Sequence, residues 1–203
     1  MNMGDNRFPW DSRAVRENED WLPQQRGMLA QQFVFGYAMG WMALEELDHW
    51  MTQARFAPDI AFFGTLARLR MASAKYLVHG SAYRPVTLKA ATPSMVVPAA
   101  PICDWGDAFS TGTPRCCNTS VVLANAWQAT DGGVGVALSN WGTFAVTVEA
   151  SVQLPVDYAS ALVARSMGIA QDMEVLVTVG DNGVAKLVRT LEGRSATVLE
   201  LTP

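Results

Sequence analysis

Apolar positions recur at helical spacing along roughly the first 80 residues, around one short apolar run, and at every second residue from 119 onward, which predicts helices first and strands last. Pro58 stands where a first helical residue belongs and Asp59 follows it. Phe62, Leu66, Leu69, Ser73 and Leu77 then recur at four, three, four and four residues, predicting a long amphipathic helix that ends at Gly80. Its other flank carries Phe63, Ala67 and Ala74, so the stripe is wide and needs a cover. Residues 42–53 show helical spacing at Leu44, Leu47 and Met51, with Glu45, Glu46 and Asp48 suited to the positive end of the helix dipole. Residues 1–27 are polar and turn-rich, with a short exposed helix over 12–20. Between these stretches, Gln32-Phe33-Val34-Phe35-Gly36-Tyr37 is short, apolar and aromatic-rich, and reads as a strand buried on both faces.

After Gly80 the period changes to two. Residues 82–90 suit an extended segment, and prolines at 93, 98, 101 and 114 mark an irregular connector. Val121, Leu123 and Trp127 then alternate with small or polar neighbours. Asp131-Gly132-Gly133 predicts a hairpin turn into Val134, Val136 and Leu138, and Asn140-Trp141-Gly142 predicts the next turn. The clearest strand follows: Phe144, Val146, Val148, Ala150, Val152 and Leu154 form one face, with Ala145, Thr147, Glu149 and Ser151 on the wet one. Met173, Val175, Val177 and Val179 lead into the turn Asp181-Asn182-Gly183, residues 184–190 return, and SATVLEL over 195–201 is a last strand. Short antiparallel strands with tight turns argue for a β-sandwich. The expected organisation is a helix-rich segment over 1–80, a proline-rich connector over 81–118 and an antiparallel β-sandwich over 119–203.

With 203 residues, 50% hydrophobic and 17% charged, the chain has the composition of a globular protein able to bury a sizeable core. A net charge of −4 gives no basic footprint for nucleic acid or an anionic membrane surface, so neither is an expected partner. The longest apolar run, residues 33–44, is well short of the ~20 that span a bilayer. The charged start MNMGDNRFPWDSRAV predicts no secretory signal and leaves the compartment open. Cys103, Cys116 and Cys117 are too few and too poorly spaced for a disulfide framework. His49 and His79 have no partner at metal-ligand spacing, so neither a metal nor a cofactor is expected.

Candidate chemistry is sparse. Gly132-Gly133-Val134-Gly135 looks like a phosphate-cradling loop, but such a loop must open a helix, and these glycines sit in a predicted hairpin. There is no GxSxG elbow and no recognisable triad. Glu45, Glu46 and Asp48 share one helical turn and cannot flank a glycosidic bond, which needs two carboxyls ~5 to 9.5 Å apart. Asn118-Thr119-Ser120 matches the glycosylation acceptor pattern, which is short and common. Tyr37 and Trp41 follow the predicted buried strand, where a barrel would open its active-site mouth. Sugar stacking and ordinary packing under a loop are both open for them. His49, Trp50 and Trp127 read as core or interface.

The sequence of parts, FVFGYAMGW, then FFGTLARLRMASAKYLVHG, YRPVTLKA, the proline-rich connector, VVLANAWQATDGGVGVALSNWG and SATVLEL, resembles the C-terminal end of barrel-type glycoside hydrolases related to the alpha-galactosidase-like group. The resemblance covers residues 30–203. It implies an α+β fold in which the N-terminal helical remnant of a (β/α)8 barrel leads into an antiparallel β-sandwich. It also implies carbohydrate as ligand, with Tyr37, Gly40 and Trp41 in the substrate-facing position after the last barrel strand. A barrel takes ~250 residues and no more than one of its strands can be placed here, so no catalytic carboxylate can be assigned. Two functions follow as expectations. One is the C-terminal portion of a glycoside hydrolase, inactive alone, with a barrel portion or partner chain covering the face formed by Phe62, Leu66 and Leu69. The other is a non-enzymatic β-sandwich binding or structural module.

Overall fold

The computed structural model describes residues 21–39, 52–89, 93–97, 117–155, 158, 163–167, 177–180 and 182–202. Helix α1 spans Trp21–Val34, a 3-10 turn Ala54–Phe56, helix α2 Ala57–Ala72 and the single turn α3 Ala74–Leu77. Pro58 sits in the first turn of α2, where its missing N–H leaves no intrahelical bond unmade, and Asp59 in the same turn meets the positive end of the dipole. The expected long helix is therefore present, but it breaks at Ser73. The Ser73 hydroxyl donates to the Leu69 carbonyl at 2.5 Å, the back-bonding that competes with a regular helical ladder.

The strand expected over residues 32–37 is not there. Gln32, Phe33 and Val34 form the last turn of α1, and Phe35 and Gly36 turn the chain out of it. The physical reason is that a helix buried on every side and a strand buried on both faces write the same unbroken apolar run. The polar reading of residues 1–27 also yields from Trp21 onward, because Gln25 and Arg26 are buried within α1. The short helix expected over 12–20 and nearly all of the one over 42–53 lie outside the described residues.

Eleven strands are described: β1 Ser81–Ala82, β2 Thr87–Lys89, β3 Ser94–Val97, β4 Cys117–Ser120, β5 Val122–Gln128, β6 Val134–Asn140, β7 Val146–Gln153, β8 Val163–Ser166, β9 Val177–Val179, β10 Val184–Leu191 and β11 Ser195–Thr202. They form a five-stranded sheet in the order β1-β5-β6-β11-β8, a four-stranded sheet β2-β7-β10-β9 and the ribbon β3-β4. Among the described residues every pairing is antiparallel. With few helices and two antiparallel sheets, the fold is α+β.

The burial pattern sets the layers. β7 alternates, with Val146, Val148, Ala150 and Val152 buried as its period predicts, whereas Phe144 precedes the strand and stays exposed. β6 is buried at every residue, so both of its faces are covered. On one face the side-chain amide of Asn140 donates to the Leu191 carbonyl of β10, which points that face at the four-stranded sheet. On the other, Gly135 lies under the ring of Tyr76 from α3, where an added Cβ would come within 2.7 Å of the ring. The register carries that helix-facing row across the sheet as Trp127, Gly135 and Glu200, then Asn125, Ala137 and Val198, then Leu123, Ser139 and Ala196. Its centre is small, so helices can approach. α1 lies over β5 and β6, α2 over β11 and α3 beside β5. Phe62, Leu66 and Leu69 are buried in one core with Val136, Val198 and Leu187.

Candidate functional site

Three polar or aromatic places meet at this helix-sheet boundary. The first contains Tyr37, the one sequence-predicted site residue within the described residues; Gly40 and Trp41 lie outside them. Gly36 turns the chain out of helix α1 two residues after Val34; its φ of +69° suits glycine, and a Cβ there would stand 2.5 Å from the Trp127 ring. The Trp127 indole N–H donates to the Val34 carbonyl at 3.0 Å, satisfying a helix-end acceptor. Trp127 is thus buried, as expected. Tyr37 leaves this corner 54% exposed, with Phe35 partly exposed beside it in sequence. Arg70 of α2 reaches in, its Nη2 donating to the Gly36 carbonyl at 3.3 Å. Its Nη1 is buried without a hydrogen-bond partner among the described residues, and burial holds the guanidinium below its ordinary pKa.

The second place is a buried ion cluster at the Asn140/Ser195 end of the β6-β11 ladder. Arg26 Nη1 donates to Asp59 Oδ1 at 2.7 Å and its Nε to the Trp141 carbonyl at 3.0 Å. Arg194 Nε reaches the same Asp59 oxygen at 3.1 Å, while its backbone N–H donates to the Gly142 carbonyl at 2.8 Å. Asp59 and Arg26 are both almost wholly buried. Desolvation lowers the Arg26 pKa, and the bond to Asp59 works against that. Arg194 adopts a φ of 55° in the β10-β11 turn, an unusual backbone for a side chain of this size, and these bonds hold it there. The cluster joins α1, α2 and two turns of the sheets.

The third place is at the opposite, Val134/Leu201 end of the same ladder. Lys75 of α3 pairs with Glu200 of β11, the Tyr76 hydroxyl donates to Glu200 Oε1 at 2.9 Å, and Lys75 Nζ lies 3.7 Å from Asp131 Oδ2 in the β5-β6 turn. Asp131 Oδ1 also accepts the Gly133 N–H at 2.9 Å. Burial pushes Glu200 up, but the bonds from Lys75 and Tyr76 outweigh it and hold the carboxyl below its ordinary value. The Gly133 N–H, with help from Lys75, also lowers Asp131. The bond to Glu200 raises the Lys75 pKa above its ordinary value, and burial raises that of Tyr76.

Two carboxylates near one ammonium invite comparison with a glycosidase pair. Such a pair separates its pKa values, one carboxyl being raised to act as the acid. Here both are lowered. The network is an ionised, hydrogen-bonded clasp. Sequence reasoning missed both clasps because their partners stand 33 to 135 residues apart and no local pattern links them. Only Asp59 and Asp131 carried a signal, the first as a first-turn acid and the second as a turn residue. The glycine cluster at 132–135 forms the hairpin turn and the bed for Tyr76, in keeping with the hairpin reading.

No protein-family model matches this chain and no curated protein matches its sequence. Among solved structures, part of the chain is similar to part of a glycoside hydrolase family 30 subfamily 8 xylanase from Clostridium acetobutylicum, at 18% identity and a TM-score of 0.29, covering 44% of this chain and 24% of that one. A family 30 endoxylanase from Clostridium papyrosolvens matches at 19% identity and a TM-score of 0.29, with coverages of 44% and 23%. The catalytic domain of a family 30 xylanase from Talaromyces cellulolyticus matches at 22% and 0.28, with coverages of 44% and 20%. These three are family 30 xylanases, where the sequence resemblance named the alpha-galactosidase-like group. The matched part of each is under a quarter of its length.

Proposed function

We propose that this chain is a non-catalytic, helix-covered β-module, the C-terminal portion of a carbohydrate-cleaving hydrolase that performs no hydrolysis by itself. The observation that carries the reading is the fate of the apolar stripe: Phe62, Leu66 and Leu69 are buried in the same core as both sheets. A helix stripe covered by its own chain supports a module that closes its own core. The descent from a carbohydrate hydrolase rests on the sequence resemblance over residues 30–203. The clasp chemistry agrees with a non-catalytic role, because Glu200 and Asp131 are both held ionised. The proposed sugar contact is Tyr37, whose exposed ring can stack on a pyranose face, together with Gly40 and Trp41 from the sequence resemblance.

A second reading, that residues 1–80 end in the last strand-and-helix unit of a catalytic barrel, rests on the sequence resemblance alone, and residues 32–34 are helical where it requires a strand. Assaying the purified chain against aryl glycosides and soluble polysaccharides separates the issues. No turnover is expected, and robust hydrolysis would overturn the proposal. In affinity electrophoresis the same polysaccharides should retard the chain, and Tyr37→Ala should remove the retardation without changing the circular dichroism. Unchanged retardation in that variant would remove Tyr37 from the sugar site.

A further inference from the structure

We propose that the β9-β10 turn contains a self-modification site, at which the Asn182 amide converts to aspartate and isoaspartate in the folded chain. Asn182-Gly183 is the single Asn-Gly step in the sequence. Asn182 is exposed, so water reaches its side chain. Gly183 presents a backbone nitrogen with no Cβ beside it, and its φ of +72° is the turn conformation that glycine suits. Asn182 Oδ1 accepts the Val184 N–H at 3.2 Å, an Asx turn that folds the amide carbon back alongside the Gly183 peptide and polarises the carbonyl.

The chemistry balances with water as the only co-reactant. The Gly183 nitrogen gives its proton to water or hydroxide and bonds to Asn182 Cγ. The Cγ–Nδ2 bond breaks, Nδ2 takes a proton, and ammonia leaves behind a cyclic imide. Water then adds to either imide carbonyl. Opening on one side gives aspartate and on the other isoaspartate, whose backbone is longer by one methylene.

Three contacts oppose the reaction: the Gly183 and Asn182 carbonyls accept the Leu154 N–H at 2.9 Å and Gln153 Nε2 at 3.0 Å, and the Gly183 N–H donates to the Gly180 carbonyl at 2.8 Å and must be released first. That release is easy, because β9, three residues long among the described residues, lies at the edge of its sheet, the kind of segment that opens locally at little cost. Two internal contrasts mark the site. Asp131-Gly132 makes the same Asx turn, yet its side chain is a carboxylate held ionised, with no ammonia to lose. Asn140 is buried, its amide donates to the carbonyls of Phe144, Leu191 and Glu192, and bulky Trp141 follows it. In the product the added methylene and charge disturb the turn that Gln153 closes by donating to the Asn182 carbonyl, so β9 detaches from β10.

Incubating the full chain in mildly alkaline buffer at physiological temperature, followed by peptide mapping, tests this. The peptide containing residue 182 should gain the mass of an amide-to-acid exchange and divide into two chromatographic products, one of them a substrate for isoaspartyl methyltransferase. The Asp131 peptide should gain no mass, and Asn182→Gln should abolish the change while leaving the circular dichroism intact. The folded chain should react within about tenfold of the rate in urea, given the low opening cost of a short edge strand. A slower folded-state reaction, or no mass change at residue 182, overturns the proposal.

Discussion

At the residue scale the structure turns on a few side chains that satisfy one another across long sequence separations. Glu200 shows how this couples to pH. Its carboxyl is held below its ordinary 4.5, so the folded chain binds that proton more weakly than the unfolded chain does. The stabilisation is complete above 4.5 and is lost as pH falls through the lower folded value. Lys75 and Tyr76 work at the other extreme. Both are raised above their ordinary 10.5 and 10.0, so their contribution is complete below those values and is lost as pH climbs through the folded ones. Glu200→Gln should therefore flatten the acid limb of a urea-midpoint-against-pH profile, and an unchanged acid limb would show that Glu200 does not couple to folding. A lysine, a tyrosine and a glutamate in this relation leave no mark on the sequence, because charged residues at positions 75 and 200 look like any solvated pair.

At the element scale, strands were more legible than helices for a geometric reason. A strand with one wet face writes its orientation in alternation, and β7 does so from Val146 to Val152. Turn chemistry added the hairpins at Gly132 and Gly183, each of which takes the positive φ that its glycine makes easy. α2 was legible from Pro58 and a four-three-four spacing. α1 was not: its buried residues include Gln25, Arg26 and Gln32, so no apolar stripe separates a core side from a wet one. The helix cover also depends on what the sheet omits. At Gly135 any side chain would meet the Tyr76 ring, so Gly135→Val should destabilise by about 1–3 kcal/mol through overpacking, measured by urea denaturation. A cost near zero would mean that α3 does not sit on β6.

At the scale of the whole molecule, the helices and the five-stranded sheet are held by an apolar middle and a polar clasp at each end of the β6-β11 ladder. Asp59 is the shared acceptor of one clasp. Asp59→Ala leaves Arg26 buried without its counter-ion and should cost about 3–5 kcal/mol. Helical and sheet signals should still fall in one urea transition, since both lie in a common core. Two separate transitions would show that the helix layer and the sheets fold independently. The candidate sugar contact was legible only as an aromatic cluster: the structure shows Tyr37 exposed beyond a glycine-capped helix end. By itself the sequence determined the period of each strand, the turns between them and the start of α2, because these are local consequences of side-chain alternation, glycine and proline. Tertiary structure alone decided that residues 32–34 are helical, that the stripe of α2 is covered within the chain, and that Asp59 and Glu200 are clasps. The physical reason is that burial on all sides erases periodicity, and that an ion pair across 135 residues exists only once the chain has folded.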